Sequence, residues 1–468
     1  MAGRKIKKAP QNFQANQEGI TRITVGNFKS IVGEQSIDIK PLTILAGANS
    51  SGKSSMMQPL LLLKQTLEAQ YDPGALLLDG PNVNFSQAEQ LLARGMNGDS
   101  TDTFSVGIIL NGNESVKTFL REGEKGTFEV EKTAYADIIS EYCISLNMSQ
   151  EELEKEIRSY TDRILAKVTK PSNFVNLAKE LMEKRELYGA SRSYVSLFQN
   201  RCFLDYSHSQ VPVINVPELS VSPYASIIDY LHQMLHLPGL RGNPQRTYPL
   251  IPLGPNFTNF AGTFGIYTAS VIYHWQKDKR QEVLNTLNRD LAKLGLTNKI
   301  VARQLTGAHI ELLVNRFLHN RAGAEDMVNI ADVGFGVSQA LPVVVALHAA
   351  DPGQLVYIEQ PEIHLHPRAQ VTLADVMVDA ALKGKRIVIE THSSLLLLGI
   401  QTLVAEGKIP PELVRLHWFT QQEDGSTKIT SANLDRTGAY GDWPEDFDTI
   451  SLDSESRYIR AAQSRLEE

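Results

Sequence analysis

Apolar positions along this chain recur with two periods, and the switches between them divide it. Ile20 to Phe28 and Gln35 to Ile39 read as two short strands with Gly33 at the turn, and Leu42 to Leu45 as a third. An apolar run of helical length, Met56 to Leu67, follows. Asp72-Pro-Gly marks a turn, and Leu76 to Asn84 starts apolar and is then broken by Gly and Pro. Thr103 to Leu110, Val116 to Arg121 and Thr127 to Lys132 alternate like antiparallel strands, with turns at 111–113 and at Gly123 to Gly126. Strands on both sides of one helix, with antiparallel strands after it, predict a mixed sheet rather than a simple doubly wound one.

From about Tyr135 the pattern becomes charged and helical. Glu151 to Lys170 is one candidate helix, Pro171 interrupts it, and Asn176 to Arg185 is a second. No heptad is sustained, so a compact helical insertion is expected rather than a coiled-coil arm. Val211 to Val221 reads as extended and Asp229 to Leu237 as helical; His236 to Tyr248 is an irregular loop. Its Arg241 and Arg246 are either phosphate or partner contacts or, the favoured reading, arginines held by nearby carboxylates. Helices recur at Thr268 to Trp275 and Glu282 to Leu294, broken by Gly295. Near Val328 an α/β pattern returns, with buried-strand candidates at Leu355 to Ile358 and Arg386 to Ile389. The expected organisation is a basic flexible tail (1–19), the first part of a nucleotide-binding domain (20–134), a mainly helical insertion (135–324), the second part (325–420) and a C-terminal extension (421–468).

Composition narrows the class. The chain has 468 residues, 42% of them apolar, and a net charge of −7, which suits a globular protein of two or three lobes. The acidic balance argues against a constitutively coated nucleic-acid binder, although a local basic groove stays open. Arg4, Lys5, Lys7 and Lys8 form a basic cluster without apolar periodicity, expected to be a disordered tail. Two cysteines, Cys143 and Cys202, are too few for a disulfide scaffold or a four-ligand zinc site. Apolar runs such as Pro59 to Leu63 and Ala340 to Leu347 fall short of the ~20 residues a bilayer span needs, and the start has no apolar signal core. A cytoplasmic protein is expected, with no membrane partner.

The chemistry concentrates in two stretches. Leu42 to Ser55 reads L-T-I-L-A-G-A-N-S-S-G-K-S-S, and Gly47, Gly52, Lys53 and Ser54 match G-x-x-x-x-G-K-[ST] between a strand and a helix. Such glycines let backbone N–H groups curl around a phosphate, with Lys53 reaching the outer phosphates and Ser54 the Mg2+. Gly47, Asn49, Ser50, Ser51, Gly52, Lys53, Ser54 and Ser55 are the expected nucleotide contacts. Far downstream, L-V-Y-I-E-Q-P-E-I-H-L-H-P (Leu355 to Pro367) places Glu359 at a strand's carboxyl end, where it can hold the Mg2+ shell beside Ser54. Pro361 and Pro367 force a rigid course after it. Asp332 to Gln339 reads D-V-G-F-G-V-S-Q, and Arg386 to Ile389 runs into I-E-T-H-S-S.

These motifs resemble those of ABC-type ATPases of the SMC, RecF and overcoming-lysogenization-defect branch, and most of all stand-alone antiphage-defence subunits such as the Septu ATPase PtuA and the PARIS ATPase. The likeness covers residues 20–70 and 328–400 well and the insertion poorly. It implies an α/β fold: an ABC/SMC-like P-loop NTPase domain with a mixed sheet, split by the insertion. It implies that Glu359 is the Walker B acid, that Pro361 to Pro367 cross a dimer interface, that Ser338 is the serine of the signature motif and that His392 is the switch histidine. Gly334, Gly336 and Ser338 precede an apolar helix, so with Gln339 they can offer N–H groups and a hydroxyl to anionic oxygens. One phosphate loop already serves its own nucleotide, which turns this second helix start toward the nucleotide of another copy and predicts a closed homodimer, or a higher homo-oligomer.

One position departs from the family. Gln360 stands where a second acid is usual, and an amide orients water but is a poor base. Either hydrolysis is slow and ATP acts as a clamp, the favoured reading, or Glu362, Glu390 or His392 assists. The resemblance also implies a second nucleotide-contacting glutamine that senses Mg2+ and couples to the insertion; Gln58 and Gln87 are candidates, and both read equally as surface glutamines. His364 and His366 lack a third ligand nearby and read as non-metal. Trp443 and Phe447 are expected to pack the C-terminal segment. The resemblance implies a regulatory and assembly ATPase with ATP and Mg2+ that controls a separate effector, a nuclease or toxin; the competing class is a RecF-like repair ATPase, for which Arg241, Arg246, Lys277, Lys279 and Arg280 must converge on one groove.

Overall fold

The computed structural model describes residues 18–94, 101–138, 141–167, 193–210, 224–254, 258–316 and 326–441. The basic cluster at 4–8, the helix read at 176–185, the extended run at 211–221 and the aromatic pair Trp443 and Phe447 lie outside the described residues.

In chain order, strands β1 (Ile20–Phe28), β2 (Ile31–Asp38) and β3 (Leu42–Gly47) lead into helix α1 (Lys53–Glu68). Strands β4 (Thr103–Leu110), β5 (Glu114–Glu122), β6 (Phe128–Ala136) and β7 (Glu141–Ser145) follow, then α2 (Gln150–Lys167) and the hairpin β8 (Ser193–Asn200) with β9 (Phe203–Gln210). Helix α3 (Ala225–Gln233) runs into β10 (Leu235–Leu237); β11 (Tyr248–Pro249), α4 (Thr268–Lys277), α5 (Gln281–Lys293), β12 (Ile300–Gln304), β13 (His309–Asn315) and β14 (Met327–Asn329) come next. The chain continues through α6 (Phe335–Ala349), β15 (Leu355–Glu359), α7 (Pro367–Ala381), β16 (Arg386–Thr391), α8 (Ser394–Ala405), β17 (Val414–Gln421) and β18 (Thr427–Ala432).

Two six-stranded sheets organise these elements. The central one has the order β10-β15-β16-β3-β17-β18, parallel from β10 to β17 and closed by antiparallel β18. The other, β2-β1-β4-β5-β6-β7, is antiparallel throughout. The α/β class and the mixed sheet are as the pattern predicted.

The apolar runs of β3, β15 and β16 show no simple alternation because both faces of each strand are buried. Leu42, Ile44 and Ala46 of β3 join the core under α4 to α8, as do Val356 and Ile358 of β15 and Ile387 and Ile389 of β16. Leu45, Leu355, Tyr357 and Val388 point the other way, into the core shared with α1 and the antiparallel sheet. Helix α1 lies between the sheets, which is why Met56, Met57 and Leu60 to Leu63 are buried without one polar face.

The segment 135–324 is less helical than its charge pattern suggested. Its described residues contain strands β7 to β13 as well as α2 to α5. Leu235 to Leu237, read as the end of a helix, is a buried edge strand parallel to β15. Three residues are too few to display a period, and the burial that makes them a strand comes from β15, more than a hundred residues away in sequence.

Candidate nucleotide-binding site

Strand β3 ends at Gly47 and α1 begins at Lys53, so the loop 48–52 sits at the carboxyl end of the central sheet. Glycine is required at both ends of this loop. Gly47 has φ 147° and a side chain there would meet the Phe419 carbonyl oxygen at 2.3 Å; Gly52 has φ 95° and its side chain would meet Thr427 Oγ1 at 2.1 Å. Thr427 Oγ1 donates to the Ser51 carbonyl (2.9 Å), tying the loop to β18. The start of α1 has no side-chain cap and no acid in its first turn, which leaves its first N–H groups and the helix dipole for an anion. Lys53 is buried, and its Nζ donates to the Gly47 (3.1 Å) and Ala48 (2.7 Å) carbonyls. Burial lowers its pKa, opposed by the charges of Glu390 and Glu362. Ser51 is 1% exposed and its Oγ has no hydrogen-bond partner.

The carboxylate against Ser54 is Glu390 of β16. Ser54 Oγ lies 2.9 and 3.0 Å from its two oxygens, and the buried Tyr357 hydroxyl donates to Oε2 at 2.9 Å. Burial pushes Glu390 above the usual carboxylate range, helped by the Glu359 charge and resisted by Tyr357, Ser54 and Lys53. A serine hydroxyl and a carboxylate are the hard oxygen donors Mg2+ takes beside phosphate oxygens and water, so these residues fit that ion. Among the described residues no group of three or more His, Cys, Asp or Glu side chains could hold a metal unaided.

Glu359 is engaged elsewhere. Its Oε1 is 3.1 Å from His236 Nε2 and its Oε2 accepts from the Gly239 N–H at 3.1 Å. A carboxylate only accepts, so Nε2 carries the proton. Burial opposes the Glu359 charge, but His236, the Gly239 N–H and Arg241 outweigh it and hold its carboxyl below the usual range. The His236 ring stacks on Tyr357 with centroids 5.5 Å apart, and its Nδ1 is 3.1 Å from Asn82 Oδ1. Gln65 of α1 holds the Asn82 turn by accepting from the Asn82 and Val83 N–H groups.

Gln360 adopts φ 43°, and its N–H donates to the Glu390 carbonyl at 2.7 Å. Arg241 Nη2 donates to the carbonyls of Glu359 (2.6 Å) and Gln360 (3.0 Å), and Nη1 to that of Gln339 (3.3 Å). Gln339 Nε2 returns a bond to the Gly242 carbonyl at 2.7 Å. Arg246 makes a two-pronged ion pair with Asp332, the carboxylate contact favoured from the sequence, whereas the hydrogen bonds of Arg241 all run to backbone carbonyls. Both bind the segment 332–339 to this loop. Gly336 packs under the His364 carbonyl, and Ser338 Oγ donates to the Phe335 carbonyl at 3.0 Å.

Other candidates fall into place around these. The His392 N–H donates to Glu362 (3.0 Å), while burial and Lys53 lower the pKa of its ring. His366 caps α7, its Nδ1 accepting from the Arg368 N–H, and His364 stands 5.9 Å from the Phe335 ring. Gln58 accepts from Lys29 Nζ at 3.0 Å, whereas Gln87 is exposed before a short helical turn. Asn49 and Ser50 are exposed on the loop, Ser50 with φ 61°, and Ser55 is buried in the first turn of α1. Sequence reading named Glu390 only as an assistant and missed His236, Tyr357 and Asn82 altogether; a Tyr two residues before a strand-end acid was the one available signal.

Comparison with known proteins gives two family matches. Residues 19–210 match the model described as "AAA ATPase domain", and residues 237–398 match "AAA domain, putative AbiEii toxin, Type IV TA system". No curated protein matches the sequence. Among solved structures, an SMC head bound to the C-terminal winged-helix domain of ScpA is 11% identical, with 89% of this chain and 98% of that one covered at a TM-score of 0.45. The SMC head domain from Thermotoga maritima is 10% identical, with 88% and 98% covered at 0.39. The two matched stretches contain the phosphate loop and the strand-end carboxylates respectively, so the chain is similar to ATPase domains across both halves of the site.

Proposed function

We propose that this chain binds ATP with Mg2+ and hydrolyses it slowly, and that nucleotide held between two copies controls a separate effector protein in an antiphage defence system. The observation that carries the slow-turnover reading is the end of β15, where Gln360 sits at a backbone pinned by the Glu390 carbonyl and Arg241. An amide in that position orients a water without taking its proton. Bound ATP and Mg2+ supply the phosphoryl group and its charge neutralisation. Lys53 exchanges the Gly47 and Ala48 carbonyls for outer phosphate oxygens, the first N–H groups of α1 receive the inner ones, and His392 lies at the same strand ends.

Support for a second copy comes from the segment 334–339. Its hydrogen bonds run to the Arg241 loop, and its helix start is uncapped by any side chain. Phe335 and Leu240 are 51% and 91% exposed beside it, an apolar margin suited to a partner. Effector control rests on the motif resemblance to defence ATPases and on the toxin–antitoxin description of the family matched by 237–398. The RecF-like alternative loses ground because Arg241 and Arg246 are consumed by contacts within the chain. Among the described residues no helix is long and apolar enough to cross a membrane.

The test is Gln360→Glu in a steady-state ATPase assay. A carboxylate at this position raises turnover by roughly tenfold or more if the missing base limits hydrolysis; an unchanged rate refutes the slow-turnover reading. Purification from the native host with a toxic protein attached supports the effector role, and steeply salt-dependent duplex binding would instead favour the DNA-repair class.

A further inference from the structure

Within the nucleotide site just proposed, on which this inference rests, we propose that Glu390, and not Glu359, is the carboxylate that shares Mg2+ with Ser54. Sheet order separates the two acids. Glu390 pairs in register with Leu45 of β3 on one side and with Glu359 on the other, so Glu359 starts one strand, about 4.8 Å, farther from the phosphate loop. Both oxygens of Glu390 already face Ser54 Oγ, whereas those of Glu359 are divided between His236 and the Gly239 N–H. The loop carries its own sign of an absent ligand: Ser51 Oγ, buried and without a hydrogen-bond partner, lies 2.9 Å from where a side chain on Gly47 would begin. The Tyr357 hydroxyl donates to Glu390 and also interacts with Glu359, and the same ring stacks on His236, so one aromatic residue links the two acids. Glu359 is then a positioning residue: it fixes the loop 236–241 whose Arg241 holds Gln339, while Glu390 meets the metal.

The experiment uses the full chain with Mn2+ as probe, its binding to the ATP-loaded protein followed by electron paramagnetic resonance, and a fluorescent ATP analogue titrated in excess chelator. Glu390→Gln weakens Mn2+ binding by about tenfold or more and leaves metal-free nucleotide binding unchanged or tighter, because a negative charge beside the phosphates is gone. Glu359→Gln shifts Mn2+ binding by less than about threefold. Tyr357→Phe, which keeps the ring and both carboxylates, gives a weaker loss in the same direction and serves if Glu390→Gln does not fold. Equal losses in the two acid variants, or a larger loss with Glu359→Gln, would overturn the assignment. A wild-type chain that binds no fluorescent ATP in any condition would instead overturn the nucleotide-site reading beneath it.

Discussion

The two ends of the candidate site are built in opposite ways. The phosphate-loop end comes from one stretch, Leu42 to Glu68, in which the glycines, the lysine and the serine are sequence neighbours and the backbone does the work. The Glu359 end is assembled from Asn82, His236 to Gly242, Gln339 and Glu359 with Gln360, joined by hydrogen bonds between residues about a hundred positions apart or more. A local device depends on φ angles and close approach. A distributed one depends on desolvated donors and acceptors, each of which costs about 1–3 kcal/mol if left unmade.

This contrast is broken or sharpened by three measurements. The largest effect is expected from Lys53→Ala, which should weaken ATP binding on the order of a hundredfold or more while changing unfolding stability by less than about 1 kcal/mol, because Lys53 serves the ligand and bonds only to its own loop. Fluorescent-nucleotide titration and urea denaturation read the two quantities. If stability falls as far as binding, the loop is not the local device described.

Next is acid. His417 of β17 is buried between Asp38 and Ser431, with Nε2 2.9 Å from the Asp38 carbonyl, and burial pushes its pKa down to about 4. Its folded-state value lies below the usual 6.5, so the unfolded chain binds the extra proton between those two values. Stability is therefore complete above about 6.5 and declines as pH falls toward 4, by roughly 2 kcal/mol at pH 5. Glu359 acts in the same direction but at lower pH: held below the usual range, its contribution is present above about 4.5 and lost only under more acidic conditions. Mild acid should thus loosen β17, the neighbour of the phosphate-loop strand, before the Glu359 end. Urea melts from pH 7 to 5 check this, and a pH-independent stability in that window would contradict it.

The third effect is of similar or smaller size and inverts the first. Arg241→Met should cost about 2 kcal/mol of stability, since the carbonyls of Glu359, Gln360 and Gln339 lose a charged donor, yet change single-chain ATP affinity by less than about threefold. The same urea and nucleotide titrations decide it.

Legibility in the sequence follows the same division. Strands β1, β3 and β4 and helices α1, α4 and α5 lay close to where apolar periods and turn residues placed them. Strand β10 did not, because it owes its form to burial on β15. Gln360 was readable as a departure at a strand end, but the capping of α7 by His366 needed the helix start to be seen. The tasks of Asn82 and His236 were invisible, since nothing local distinguishes them from ordinary core or turn residues, and Tyr357 offered only its place two residues before a strand-end acid.

By itself the sequence determined the phosphate loop, because left-handed backbone at Gly52 and the crowded approach at Gly47 demand glycine at a fixed spacing from a lysine and a serine. It likewise determined that an amide follows the acid at the end of β15. Which acid meets Ser54 was decided only by tertiary structure. Parallel strands acquire their neighbours through crossover connections, and it is the order β15-β16-β3 that sets Glu390 beside the loop and Glu359 one strand away.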